Sequence, residues 1–525
     1  MLELRQKQIK TFQKALMNKR FLDRSHAGTG KTAPICCLTG FLIGSKPVDI
    51  HPSKTIHQIP KIVTLTKHSI TQVTGGIYNC RAIWIQPSSL MEKNRQELLS
   101  WNPTWSESAV KVVQGTPAKK KRIINDENTL VWVMTAEAFK AYYKEMKVKY
   151  PDILQIVCDE PHLYYRGFNS ARTQFFVNNV DQNTRVHFMT ATPTPRGKLS
   201  SAYTYCHMIQ RDYYGCYDWF INTHADLDEY GNPQNWKNHD KLWTFLDNYS
   251  ICWTSKDMYG DVDEVIIRDV VRMNPVVEHV YREFELAGIA DLQGSVLNAT
   301  SGGVESLRCR QMLCHPHAIR IPCAWGDDGK PTNYQVGTIL DDITPKLERI
   351  VEYAEAGEPL IIFGSFTSEI EMIAETLRRR KFRVGVIHGG VLQLQRVKID
   401  QDFQAGKLDV VVCSAATAGV GFNWGHVNTV IFHSLNYGDD EFLQAIARAK
   451  RGVRTETLKI ILLEYENTID QPVMWAVHHN SRNSHLTNPD NPIIYFPRVM
   501  QDDKNASLTP QMEMEYKEYG EKMIA

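Results

Sequence analysis

The chain has 525 residues, enough for roughly three to four domains. Apolar residues make up 43% and charged residues 23%, the balance of a folded globular protein, which excludes wholesale disorder. With 60 basic against 59 acidic side chains the net charge is +1, so any nucleic-acid surface must be a local patch.

Residues 20–24 are a short strand candidate, and SHAGTGKTAPICCLTGFLI follows. Within it Gly28, Thr29, Gly30, Lys31 and Thr32 stand between strand and helix. Glycines let backbone N–H groups turn in around phosphates, and the helix N-terminus favours an anion. Lys31 is expected to reach the β/γ oxygens of ATP, and Thr32 to ligate Mg²⁺. Pro34 falls in the first helical turn, where its missing N–H costs little. Residues 44–79, rich in Pro, Thr, Ser, Lys and His, read as an insertion.

Apolar, β-branched runs then recur at 81–86, 130–134, 154–158 and 186–189, and again at 360–363, 384–388, 409–413, 429–432 and 459–463. Runs of this kind suit parallel strands buried on both faces. Helical patterns lie between several of them. Residues 346–356 place Leu347, Ile350, Val351 and Ala354 on one face and stop at Gly357. Residues 368–380 suggest a capping box of Ser368 and Glu371, with Ile370, Ile373 and Leu377 on one face. Strands alternating with helices twice over predict two α/β units. The region from 199 to 343 reads as mostly helical insertions plus a linker, and the tail after Glu466 has weak periodicity.

The run 154–158 leads straight into Asp159, Glu160, Pro161 and His162. Two adjacent carboxylates at the end of a buried strand are costly unless they bind something. Asp159 is expected to hold the Mg²⁺ shell, Glu160 to polarise the attacking water, and His162 to sense the γ-phosphate. Further on, residues 438–452 read GDDEFLQAIARAKRG. Gln444, Arg448 and Arg451 are spaced four and three apart, so they project from one helix face. Cys309, Cys314, His315, His317 and Cys323 fit no standard zinc spacing, and no zinc is expected. The basic runs 119–122 and 378–381 read as solvated helix faces.

Phosphate loop and DEPH together resemble the DExH helicase-like ATPases, and further blocks follow in that family's order. Pro87, Ser88 and Ser89, then Thr135, resemble its first two nucleic-acid contact blocks. Thr190 and Thr192 of TATP resemble the block that couples the phosphate site to nucleic acid. The second half is closer to the SWI/SNF-type double-stranded DNA translocases. Residues 307–316 (LRCRQMLCHP) are similar to that group's LRQ-C-HP helix, and Thr344-Pro345-Lys346-Leu347 to its S-x-K-L. The sequence His388-Gly389-Gly390 with Arg396 and Phe403, the stretch 414–424 (SAATAGVGFNW), and Asn436 with Gln444, Arg448 and Arg451 follow as its later blocks. Leu4-Arg5-Gln6-Lys7-Gln8 looks like LRPYQ. The resemblance covers residues 3–466, the motor core only. SHAGTGKT in place of DEMGLGKT, and TATP in place of TGTP, are nearer to general DExH helicases.

The resemblance implies two tandem RecA-like lobes, parallel sheets flanked by helices, with mostly helical insertions between them. The first is expected over 1–270, the second over 271–470, and a C-terminal extension over 471–525. It implies that Gln8 reads adenine and that Gly421 belongs to the ATP site. His388, Gly389 and Ser414 join Pro87, Ser88, Ser89 and Thr135 as nucleic-acid contacts. ATP and Mg²⁺ are the expected cofactors. Lys31, Asp159, Glu160, Gln444, Arg448 and Arg451 are the expected catalytic set. Duplex DNA is the favoured partner, with branched DNA or RNA possible. Beside a duplex-DNA translocase stand a strand-separating helicase and a non-catalytic ATP-gated clamp; the retained Glu160 argues against the clamp. The 11 cysteines are odd in number and scattered, which fits a reducing compartment. The charged N-terminus is no signal peptide, and the most apolar stretch, 33–43, is far short of the ~20 residues a membrane helix needs. A soluble monomer with no membrane partner is expected, in the cytoplasm and of bacterial, phage or viral origin.

Overall fold

A computed structural model describes residues 3–44, 80–165, 167–195, 199–231, 233–260, 263–292, 295–299, 301–325, 331–418, 422–450, 454–487 and 491–496. The 44–79 insertion from residue 45 on, most of the tail, Gly421 and Arg451 therefore lie outside the described residues.

The first lobe is built on β1 (Arg20–Asp23), β2 (Arg81–Ile85), β3 (Val110–Val112), β4 (Val131–Met134), β5 (Ile153–Asp159) and β6 (Arg185–Met189). An antiparallel ribbon, β7 (Ala225–Leu227) with β8 (Pro233–Trp236), precedes the edge strand β9 (Ser250–Ile251). The sheet runs β3-β4-β2-β5-β6-β1-β9, and every pairing in it is parallel. VWVM of β4 is buried at every position, as a strand covered on both faces requires. Two apolar clusters, one centred on Trp132 and Phe139 and one on Trp84 and Leu38, fill the two faces.

The second lobe begins with β10 (Glu264–Val271), which pairs along its whole length with β19. The boundary expected at 270/271 therefore falls inside a strand of the second sheet, and the division lies ahead of Glu264. EVIIRDVV hides this strand from sequence reading because an edge position tolerates its charges. Two ribbons follow, β11 (Ile289–Leu292) with β12 (Ser295–Asn298) and β13 (Ile319–Trp325) with β14 (Pro331–Gly337). They pack with helices Pro275–Ala287 and Gly302–Cys314 around Tyr281, Phe284 and Met312. The insertions between the lobes thus carry antiparallel ribbons as well as the expected helices. The sheet closes with β15 (Leu360–Gly364), β16 (Val384–Ile387), β17 (Val410–Ser414), β18 (Thr429–Phe432) and β19 (Leu458–Tyr465), in the order β10-β19-β18-β15-β17-β16. All nine expected runs are strands.

The cap of helix Thr367–Arg379 is Phe366, two residues ahead of the expected Ser368. Glu369, not Glu371, is the third residue and accepts from the N–H groups of Ser365 at 2.9 Å and Phe366 at 3.0 Å. Its other oxygen accepts from His433. Cys314, Glu369 and His433 are the one cluster of metal-type ligands among the described residues. Since both Glu369 oxygens are already engaged, it is a buried polar brace. Beside it Lys346 is fully buried and donates to Asp470 at 2.7 Å. Lys346→Ala leaves that carboxylate with the Tyr465 N–H at 3.0 Å but no countercharge, and is expected to cost about 3 kcal/mol, read as an earlier unfolding step in urea. Among the described residues no helix is long and apolar enough to cross a membrane.

Candidate functional site

Parallel strands end at one edge of a sheet, so the loops after them meet there. In the first lobe this order is Thr135 after β4, Pro87–Ser89 after β2, Asp159 ending β5, Thr190–Thr192 after β6, and the phosphate loop after β1. The topology alone brings together residues far apart in the chain.

Gly28 and Gly30 take left-handed φ values of 86° and 78°, which only glycine adopts readily. Lys31 folds back into its own loop, its Nζ donating to the carbonyls of Ser25 at 2.7 Å and His26 at 3.0 Å. Thr29 Oγ1 donates to His26 O at 2.8 Å, and Thr32 opens helix Thr32–Ile43. Gln8 Nε2 donates to Gly30 O at 3.0 Å, so the first helix is tied to the loop. Tyr259, from the far end of the lobe, donates to Gly28 O at 2.7 Å. A Cβ on Gly30 meets Gln8 Nε2 at 2.6 Å. Gln8 can swing aside but the left-handed φ cannot be relieved, so Gly30→Ala is expected to weaken ATP binding by about tenfold, as read by nucleotide titration.

Asp159 is buried, and burial together with the adjacent Glu160 charge raises its carboxyl above the ordinary range. Asn94 Nδ2 donates to its Oδ2 at 2.7 Å, and Lys31 is near enough to pull the other way. Glu160 takes a left-handed φ of 48°, held by its N–H donating to Met189 O at 2.8 Å. Such a conformation costs on the order of 1–3 kcal/mol and persists only where the surroundings impose it. His162 Nδ1 lies 3.3 Å from Glu160 Oε2 and 2.8 Å from Thr190 Oγ1. Thr190 Oγ1 in turn accepts from Thr192 N at 3.0 Å. The acidic strand end and the TATP block are thus one bonded unit.

A cavity separates this edge from the second lobe. His26, Ala27, Thr192 and Thr194 line one wall, and Gln444 and Ala447 the other. The second wall is helix Asp439–Ala449, capped by Gly438; Asp439 is buried under Ser484, which donates to it at 2.6 Å. Burial pushes the Asp439 carboxyl up to about 6. Arg448 lies one turn beyond Gln444 and is buried, its carbonyl accepting from Trp424 N at 3.0 Å. Lys450 is engaged in an ion pair with Glu264.

The expected nucleic-acid contacts gather on both lobes. Thr135 caps its helix, accepting from Ala138 N at 3.3 Å. His388 directly follows β16, with Nε2 2.7 Å from Glu371 and Nδ1 accepting from Gly390 N at 3.1 Å. Arg396 braces the same turn through Gly389 O at 3.0 Å and Val391 O at 2.7 Å. Ser414 ends the neighbouring β17. Gln393, just past the His388 turn, donates across to Ser89 O of the first lobe. Sequence reasoning missed Asn94, Gln393, Tyr259, and Arg310, which donates to Asn436 Oδ1 at 2.8 Å. Asn94 carried a signal: it interrupts the buried stripe Met91, Asn94, Leu98 with an amide.

The helicase conserved C-terminal domain matches residues 345–453. Chromodomain-helicase-DNA-binding protein 1-like of Danio rerio is 25% identical over 169 residues, 31% of this chain and 16% of that protein. DNA repair and recombination protein RAD54-like of Danio rerio is 20% identical over 485 residues, 86% of this chain and 61% of that protein. This chain thus covers less than two thirds of the length of either relative. Dbp5 of S. cerevisiae, solved bound to RNA and ADP BeF3, has a TM-score of 0.51 at 11% identity, covering 99% of this chain and 93% of that one; it shows the two-lobed fold. Residues 345–453 thus match the helicase conserved C-terminal domain, and the chain is similar to SWI/SNF-type helicase-like ATPases.

Proposed function

We propose that the chain is an ATP-driven motor that tracks along duplex DNA. The observation that carries this is the cavity in which the phosphate loop and TATP of one lobe face the Gln444 helix of the other. Hydrolysis there opens and closes the lobes, and the strand-end loops of both lobes hold the phosphate backbone with little regard to sequence. Two observations support duplex DNA over RNA: the second-lobe blocks, and relatives named for DNA binding and DNA repair.

In this reading the glycine-rich loop and Lys31 bind the triphosphate, and Gln8 packs at the adenine side. Asp159 and the Thr32 hydroxyl are hard oxygen donors beside Lys31, and that donor set fits Mg²⁺. When bound, the ion neutralises charge on the β and γ oxygens. Glu160 orients and deprotonates the attacking water. His162 and Thr190 pass the state of the γ-phosphate to the nucleic-acid side. A reducing compartment fits the described cysteines, none of which forms a disulfide; the chain acts as a monomer.

Displacement of a third strand from a DNA triplex tests the reading. ATP-dependent release without separation of the underlying duplex is expected. Unwinding of forked DNA with no triplex release would favour the strand-separating alternative.

A further inference from the structure

Asn94 spends both amide hydrogens on buried acceptors: Asp159 Oδ2 at 2.7 Å and Gln86 Oε1 at 2.6 Å. It is 2% exposed and Gln86 1%, so water does not share the work. Gln86 is pinned by its own N–H, which donates to Met134 O at 3.0 Å, yet its side-chain Nε2 finds no acceptor. A buried amide left half-satisfied is costly and asks for a reason.

The chain positions of the two amides supply one. Gln86 directly follows β2, and Asn94 sits at the end of the first turn of helix Met91–Trp101. Between them lie Pro87, the short turn Ser88–Leu90 and the first three residues of that helix. That block is therefore a bridge whose two ends both terminate on the Asp159 carboxylate network. The second lobe touches the same bridge, since Gln393 donates to Ser89 O. Whatever holds Ser88 or Ser89 therefore acts on a segment anchored at both ends to that network.

We propose that Asn94 is a positioning residue that aims the Asp159 carboxylate at the cation site and, with Gln86, carries the state of the Pro87–Ser89 block to it. The inference rests on the ATP-motor reading above. Partners that orient a metal-ligating carboxylate commonly alter metal affinity 10–100-fold when removed.

The test is Mn²⁺ affinity, followed by electron paramagnetic resonance on the full chain with ADP, with and without duplex DNA. Asn94→Ala is expected to weaken Mn²⁺ binding at least about tenfold while metal-free ADP binding stays near that of the parent. Asn94→Ser, which keeps a donor, is expected to recover part of the loss. Gln86→Ala is expected to keep the DNA-free Mn²⁺ affinity and to lose the change that DNA induces in the parent chain. Mn²⁺ affinity within twofold of the parent in both Asn94 variants overturns the proposal, and if Asn94→Ala does not fold, the Asn94→Ser and Gln86→Ala results decide. ATP turnover of the parent with duplex DNA is read on the same samples. An unstimulated parent sinks the motor reading, and the Mn²⁺ comparison still judges the positioning role separately.

Discussion

Glu160→Gln is expected to bind ATP as tightly as the parent chain and to hydrolyse it at least about 10²-fold more slowly. The substitution keeps the volume of the side chain and its place beside His162, so the 2.8 Å contact of His162 with Thr190 survives. It removes only the basic oxygen. The two acids stand in different settings: Asp159 is buried and held by Asn94, whereas Glu160 has a left-handed backbone and lies 3.3 Å from His162. Lys31→Ala is expected to differ in kind, weakening nucleotide binding along with turnover, because its ammonium sits inside the phosphate loop. Steady-state turnover with nucleotide titration separates them. Turnover near the parent rate in Glu160→Gln removes that residue from the chemistry.

The second large effect is expected at the arginines of the second lobe. Charge accumulates on the γ-phosphoryl oxygens during transfer, and a guanidinium brought in from the opposite lobe stabilises it only when the lobes close. Arg451→Ala, and Arg448→Ala with it, are expected to lose on the order of 10³-fold of stimulated turnover while ATP and DNA affinities hold. Lys450 is not expected to substitute. It lacks the planar fork of arginine, and its ammonium is already engaged by Glu264. Gln444, three residues before Ala447 on the cavity wall, shows which face of the helix meets the phosphate loop. Turnover, ATP affinity and DNA affinity are to be measured on each variant. If both keep stimulated turnover within a few-fold of the parent, the helix is only a packed basic face.

Much of this site is legible in the sequence because the chemistry is written in contiguous blocks. GTGKT and DEPH each end an apolar run, and a parallel sheet carries all such ends to one edge. The strands themselves were legible for the same reason: runs such as VWVM and LIIF are apolar on both faces. What was not legible depends on partners distant in the chain. The edge strand β10 looks polar until β19 lies beside it. The ribbons of the insertions bury one face only, through Ala290, Leu292, Leu297, Ile319 and Ile321, and so carry no continuous apolar run. The cap of helix Thr367–Arg379 was misplaced because Ser368–Glu371 and Phe366–Glu369 differ by a small shift along one helix. Asn94 carries meaning only once Asp159, 65 residues away, is seen against it.

Nucleic acid bound across both lobes is expected to drive hydrolysis, with duplex DNA the preferred driver. ATP turnover measured side by side with duplex DNA, single-stranded DNA, forked DNA and single-stranded RNA, at several salt concentrations, tests it most directly. The largest stimulation is expected with plain duplex DNA, nearly indifferent to sequence and falling steeply with salt. Greater stimulation by single-stranded RNA than by duplex DNA would contradict the account.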